Sequence, residues 1–180
     1  MRRLFLCMIL VSWYTLLKAQ YEGMEYYQEQ DPAVKVKLEQ WQDLKFGFFV
    51  HWGPYSQKGY CESWTICTED VDWIQRDTII SYDEYYRNYV NLKKTFNPVK
   101  FNPEYWADLA KEAGMKYFVF TTKHHDGFCM WDTRETDYKI TSEECPFHTA
   151  PNADVVKELF RVFGERDFMI GAYFSKPDWN

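Results

Sequence analysis

Three apolar runs divide the chain, and each of them ends in a polar or aromatic segment. The runs lie at residues 45–51, 115–120 and 168–174. They lack the apolar–polar alternation of a half-exposed strand, which is typical of parallel strands covered on both faces. We therefore predict three buried strands. The polar segment that follows the second of them contains two adjacent histidines, His124 and His125.

Helical patterns separate the predicted strands. Helices are predicted at residues 82–94, 103–113 and 153–163, where apolar side chains recur with helical spacing. The predicted N-cap residues are Ser81, Asn102 and Asn152. Strands joined by helical crossovers pair in parallel with right-handed connections, so the pattern predicts an α/β fold.

In α/β folds, active sites and ligand-binding sites lie at the carboxyl ends of the parallel strands, both in barrels and in open doubly wound sheets. The hydrophobic pattern alone is compatible with either architecture. The chain has no Gly-x-Gly-x-x-Gly or Walker signature, which disfavours a nucleotide-binding open sheet. In either case we expect His51, His124 and His125, which all follow predicted strands, to lie at one edge of the sheet.

The amino terminus has the three zones of a secretory signal peptide. Two arginines precede an apolar segment at residues 4–17, and Lys18-Ala19-Gln20 follows it. The alternative is a membrane anchor, but this segment is shorter than the roughly 20 residues that span a bilayer. We therefore predict cleavage after Ala19 and export to a periplasmic, secreted or lysosome-like compartment, with no stable membrane span in the mature chain.

Composition narrows the possible partners. The formal charge is −6, and removal of the three basic residues in the predicted signal peptide gives −6 − 3 = −9. This acidity argues against a nucleic-acid partner. Aromatic residues form 20% of the chain, and such rings can stack on flat ligands such as sugars. Composition leaves the oligomeric state undefined.

Four cysteines follow the predicted signal peptide, and four cysteines allow three disulfide pairings. Export permits disulfides, but a chain of this length can bury a core without them. Bridged and free thiols therefore both remain open. The four residues are Cys61, Cys67, Cys129 and Cys145.

Three interpretations of His51, His124 and His125 compete. In the first they bind a metal, but adjacent strand residues point to opposite faces and no carboxylate lies at helical ligand spacing beside them. In the second they bind the hydroxyls of a polyol while aromatic rings cover its apolar face. In the third they only tie loop backbones together. The aromatic loops favour the second interpretation, so we predict no metal and no cofactor.

Acid–base chemistry would require carboxylates near the same edge. Asp126 is the most attractive of these because it directly follows two histidines, but the sequence alone does not rank the candidates. They are Glu62, Glu69, Asp126, Asp132 and Asp178.

Several motifs in order resemble the α-L-fucosidases of glycoside hydrolase family 29. They are residues 46–53 (FGFFVHWG), residues 123–128 (KHHDGF), residues 173–175 (YFS) with Asp178 and Trp179, and residues 106–117 (WADLAKEAGMKY). The resemblance covers about residues 41–180. It implies the N-terminal portion, about three strands of eight, of a (β/α)8 TIM-type barrel, preceded by a lead-in at residues 20–40 and a signal peptide at residues 1–19.

The resemblance also implies a set of sugar-binding residues. His51, His124, His125 and Tyr173 match positions that line the fucose pocket. Glu62 and Trp64 resemble the Glu-Trp pair of the family's first loop, although Ser63 is inserted between them here. Asp126 does not match the family's nucleophile.

The resemblance implies a retaining glycosidase that removes terminal α-L-fucose from oligosaccharides or glycoconjugates. Its nucleophile and its acid/base follow later strands in the family, so neither is expected within these residues, and a whole barrel needs roughly 250 residues. We therefore expect the 180-residue chain to be an inactive fragment. Two alternatives are a non-catalytic fucose- or glycan-binding remnant and a barrel glycosidase for a related sugar.

Overall fold

A computed structural model describes residues 29–69, 73, 74, 76 and 79–179. The predicted signal peptide lies outside the described residues. The chain divides into two units at residues 1–39 and 40–180. A first helix, α1 (Pro32–Leu44), crosses this division and has no buried residue. It begins where the Asp31 side chain accepts a hydrogen bond from the Ala33 amide at 2.8 Å.

Three parallel strands form the sheet, as the hydrophobic pattern predicted. They are β1 (Gly47–Val50), β2 (Tyr117–Lys123) and β3 (Met169–Phe174). The strand order is β1-β2-β3, so β2 lies in the centre with a partner on each side. Strand β2 extends to Lys123, whereas the sequence had assigned the polar residues after Phe120 to a loop. The three carboxyl ends meet at one edge of the sheet.

Three further helices connect the strands: α2 (Tyr82–Val90), α3 (Pro103–Glu112) and α4 (Val155–Gly164). The Ser81 and Asn102 caps are confirmed, because their side chains accept amide hydrogen bonds three residues downstream. Helix α2 ends four residues earlier than the sequence predicted, and a 3-10 helix, Asn91–Thr95, takes its place.

The predicted cap of α4 was wrong. Asp154, and not Asn152, caps this helix, because its carboxylate accepts a hydrogen bond from the Lys157 amide at 3.1 Å. The amide of Ala153 instead donates to the Ala150 carbonyl at 3.0 Å, in a turn that precedes the helix. The helix therefore begins two residues later than predicted.

The prediction of three buried strands holds only for β2. Strand β1 leaves Phe49 51% exposed, and β3 leaves Met169 and Phe174 37% and 55% exposed. Each flanking strand has only one partner strand among the described residues. Apolar composition without alternation therefore does not ensure burial, because burial also requires layers on both sides.

The main core lies between the sheet and the two helices α3 and α4. Phe118 of β2 stacks on Phe163 of α4 with ring centroids 3.7 Å apart and planes 11° apart. An ion pair between Arg161 and Glu104, at 3.2 Å, joins the exposed sides of the two helices. A second, smaller cluster lies under the loop that follows β1. Its buried members are Tyr55, Ile66, Tyr85, Tyr89 and Leu92.

The structure decides one question that the sequence left open. Cys61, Cys67, Cys129 and Cys145 all carry free thiols. Among the described residues, no helix has the length and hydrophobicity needed to cross a membrane.

Candidate active site

The end of β2 and the loop that follows it are buried throughout, from Thr121 to Met130. The loop turns at Gly127, whose φ of 78° lies in the left-handed region that favours glycine. The Met130 amide then donates to the Thr122 carbonyl at 3.0 Å, so the loop folds back onto its own strand. A buried loop needs internal partners for its polar groups, and this return supplies some of them.

Four aromatic side chains meet at the carboxyl ends of the three strands. The rings of His124 and His125 lie 4.3 Å apart between centroids. His51, after β1, lies 5.7 Å from His124 and 5.3 Å from Tyr173 of β3. The register between β2 and β3 shifts between Thr121 and Lys123. Because of this irregularity and because the strand ends at Lys123, the side chains of His124 and His125 lie side by side instead of pointing to opposite faces of the sheet.

Two tryptophans form a second side of this cluster. Trp64, from the loop after β1, contacts His125 edge-on at 5.0 Å and Trp179 at 5.5 Å. Trp179 also lies 4.5 Å from His125. Its amide donates to the His125 carbonyl at 2.7 Å, which ties the segment after β3 to the loop after β2. Trp179 belongs to one of the motifs that resemble the family, but it was not among the predicted sugar-binding residues.

Glu62 is half-buried and has a left-handed φ of 43°. Its carboxylate accepts a hydrogen bond from the Cys61 thiol at 3.3 Å, and this bond raises the pKa of Cys61. The negative charge of Glu62 also acts to raise the pKa of His125. Of the six predicted sugar-binding residues, five meet through ring contacts, and Glu62 reaches them through its charge.

Sequence reasoning missed two serines that hold the adjacent imidazoles. Ser63 Oγ shares a hydrogen bond with His124 Nδ1 at 2.5 Å. Ser175 Oγ shares one with His125 Nδ1. In the sequence analysis, Ser63 was only an insertion that separates Glu62 from Trp64. Its position beside a matched tryptophan was the one signal that could have indicated a role.

Burial keeps both imidazoles neutral at physiological pH. It lowers the pKa of His124 to about 3, and electrostatic interactions with His125, His51 and the Lys123 ammonium act in the same direction. Burial and the Lys123 ammonium also lower the pKa of His125. Neutral imidazoles carry one N–H donor and one nitrogen acceptor each, which suits recognition of hydroxyl groups.

Asp126 supports the loop rather than facing the cluster. It is 2% exposed. Its two oxygens accept hydrogen bonds from the Tyr89 hydroxyl at 2.8 Å and from the Phe128 amide at 3.2 Å. Burial raises its pKa to about 6. The carboxylate thus connects the loop after β2 to helix α2 and to the second hydrophobic cluster.

The other candidate carboxylates are engaged or lie at the surface. Asp178 pairs at 3.1 Å with the Lys123 ammonium, which is buried at the end of β2. Exposed Asp132 accepts hydrogen bonds from Lys139 at 3.0 Å and Thr141 at 2.9 Å. Glu69 is exposed. Within the part of the chain that the structure describes, no group of three or more His, Cys, Asp or Glu side chains is arranged to hold a metal ion.

Comparisons with known proteins identify the family. The family model described as alpha-L-fucosidase matches residues 15–180. A putative alpha-L-fucosidase of Caenorhabditis elegans is 35% identical over 140 residues, which cover 76% of this chain and 28% of the relative. The tissue alpha-L-fucosidase of Homo sapiens is 33% identical over 150 residues, which cover 79% of this chain and 30% of the relative.

A solved structure supports the same assignment at the level of the fold. The chain superposes on an alpha-L-fucosidase GH29 from Bacteroides thetaiotaomicron with a TM-score of 0.62 and 28% identity, covering 88% of this chain and 33% of that one. The chain thus spans about a third or less of the length of the relatives it matches. Its three strands correspond to part of a TIM-barrel catalytic domain, and the chain belongs to the α-L-fucosidase family.

Proposed function

We propose that this chain forms one wall of a pocket that binds terminal α-L-fucose in an exported, retaining glycoside hydrolase. The substrate would be a fucosylated oligosaccharide or glycoconjugate. The observation that carries the proposal is the cluster of neutral imidazoles between aromatic rings at the strand ends. Imidazole nitrogens pair with sugar hydroxyls, and the rings cover the apolar face of the sugar.

In this proposal the two catalytic carboxylates come from residues other than those described. A retaining mechanism needs two carboxyl groups about 5 Å apart, one of them free to attack the sugar. The carboxylates near the cluster do not fit that role. Asp126 is enclosed by Tyr89 and the loop backbone, Asp178 pairs with Lys123, and Glu62 lies beside Cys61.

Calorimetry with L-fucose tests the binding role of the wall. We expect the secreted product of the 180-residue chain to give a saturable signal that His51→Ala abolishes. His148→Ala is the matched control, because the His148 imidazole lies outside the cluster and contacts the Cys145 carbonyl. The absence of a signal, or an equal loss in both variants, would contradict the proposed pocket.

Turnover of aryl glycosides tests the placement of the catalytic pair. We expect no hydrolysis of an aryl α-L-fucoside by this chain, since the nucleophile and the acid/base are assigned to other residues. Measurable hydrolysis would overturn that assignment. Tighter binding of a related deoxy or galacto sugar than of L-fucose would instead favour a glycosidase of different specificity. Amino-terminal sequencing of the secreted product tests export, with Gln20 as the expected first residue.

A further inference from the structure

Two buried serines from distant segments contact equivalent atoms of two adjacent imidazoles. Ser63 precedes the 3-10 helix Trp64–Ile66 and is 0% exposed, and Ser175 directly follows β3 and is 3% exposed. Each hydroxyl bonds to Nδ1 of its histidine. Neither Nε2 atom has a hydrogen-bond partner among the described residues, so Nε2 is the nitrogen that each ring offers to a ligand.

The surroundings of Ser63 decide where its single hydroxyl proton goes. Within the described part of the chain, His124 Nδ1 is the only hydrogen-bond partner of the Ser63 hydroxyl. A buried hydroxyl proton without an acceptor is costly, so Ser63 donates to Nδ1. A neutral imidazole that accepts at Nδ1 carries its proton on Nε2. His124 therefore presents an N–H donor.

Ser175 differs because a second acceptor lies beside it. Its hydroxyl donates to the Pro177 carbonyl at 3.4 Å, and a carbonyl can only accept. With the one hydroxyl proton assigned to this carbonyl, the bond with His125 is donated by the imidazole Nδ1–H. His125 Nε2 is left with a free lone pair, and it is an acceptor.

We propose that Ser63 and Ser175 are positioning residues that hold His124 and His125 in opposite tautomers. The two rings, 4.3 Å apart, then offer one donor and one acceptor side by side. This arrangement fits two neighbouring sugar hydroxyls, of which one accepts a hydrogen bond and the other donates one. The tautomers themselves are a property of the unliganded chain, whereas their use in sugar binding rests on the proposed function.

Nitrogen-15 NMR of histidine side chains measures the tautomers directly. The chain contains four histidines, and single His→Gln variants assign their signals. His148 is an internal reference, because its Nδ1 lies 2.8 Å from the Cys145 carbonyl and must carry the proton. We expect His125 to match this reference and His124 to show the opposite, Nε2–H form. Finding His124 and His125 in the same tautomer would overturn the proposal.

Ser63→Ala tests whether the serine sets the tautomer. We expect the His124 signal to shift towards a mixture of the two neutral forms, and Ser63→Thr, which keeps the hydroxyl, to restore it. Ser142→Ala is the matched control, since Ser142 is a buried serine whose Oγ bonds to the Glu144 amide, outside the cluster. An unchanged His124 signal in Ser63→Ala would contradict a positioning role.

Binding measurements separate this inference from the proposed function. Loss of one hydrogen-bond orientation should weaken L-fucose affinity about fivefold in Ser63→Ala, with recovery in Ser63→Thr. Correct tautomers without any fucose binding would contradict the proposed function and leave the positioning role standing. Fucose binding by a chain whose His124 carries its proton on Nδ1 would contradict the positioning role and leave the proposed function standing.

Discussion

Strands β2 and β3 have similar apolar composition but different surroundings. Strand β2 has a partner strand on each side and packs against both α3 and α4, so Phe118 and Phe120 are fully buried. Strand β3 has one partner among the described residues and leaves Met169 and Phe174 exposed. The comparison shows that position in the sheet, rather than composition, decides which strand forms the core.

The same difference extends to the site residues that each strand carries. His124 and His125 follow the central strand, and serines from two other segments hold their Nδ1 atoms. His51 follows the flanking strand β1 and makes ring contacts, but has no side-chain hydrogen bond within the described residues. The central strand therefore supplies the fixed part of the cluster.

The largest expected loss of stability comes from removing a buried ring of the central strand β2. Phe118→Ala should lower the free energy of unfolding by about 3–5 kcal/mol, because it removes a buried ring stacked on Phe163. Phe49→Ala on β1 is the matched control, and it should cost about 1 kcal/mol or less because the ring is half-exposed. Urea unfolding measures both. Equal costs would contradict the distinction between central and flanking strands.

The next effect concerns the pH dependence of stability. Burial raises the pKa of Asp126 from 3.8 to about 6, so the folded chain holds this proton more tightly than the unfolded chain. The stability from this group is therefore present below pH about 4 and is lost as the pH rises to about 6, a change of about 3 kcal/mol. Asp126→Asn should remove that contribution, with the amide oxygen accepting from the Phe128 amide and the amide nitrogen donating to the Tyr89 hydroxyl oxygen.

Wild type must be compared with the Asp126→Asn variant because His124 changes the stability with pH in the direction opposite to Asp126. The lowered pKa of His124 makes stability fall as the pH drops below about 6.5, the ordinary histidine value. The difference between wild type and Asp126→Asn across pH 4–7, measured by urea unfolding, isolates the carboxylate. Asp137→Asn, at an exposed position, serves as the control. A difference that does not change with pH would rule out the buried carboxylate as the cause.

The smallest expected effect is the loss of stability when a methyl group is added where β1 or β3 packs against β2. A Cβ added at Gly47 would overlap the Tyr117 ring, whereas one at Gly171 would lie 3.0 Å from a single Val119 methyl. Gly47→Ala should therefore cost about 1–3 kcal/mol, as overpacking does, and Gly171→Ala should cost less. Thermal unfolding of the two variants gives the order. A larger loss for Gly171→Ala would show that β3 packs more tightly on β2.

The sequence by itself determined the order of the three strands and of helices α2, α3 and α4, the parallel sheet, and the sheet edge at which the candidate site lies. Unbroken apolar runs separated by capped helices have few other solutions, and the caps at Ser81 and Asn102 act within one turn. The meeting of His51, His124 and His125 was predicted for the same reason, since parallel strands end at a common edge, whereas Tyr173 and Trp64 were named from the resemblance to the family. The free thiols and the burial of each strand depend on contacts that no local pattern contains.

Only the tertiary structure decided how the histidines are held. Ser63 and His124 are 61 residues apart, and Ser175 and His125 are 50 apart. No spacing rule connects such positions, because the contacts form only when loops from different strands fold over one edge. The burial that keeps the imidazoles neutral and raises the pKa of Asp126 arises from the same packing. Local propensity fixes helices and strands, whereas protonation and tautomer depend on the neighbours that the fold brings together.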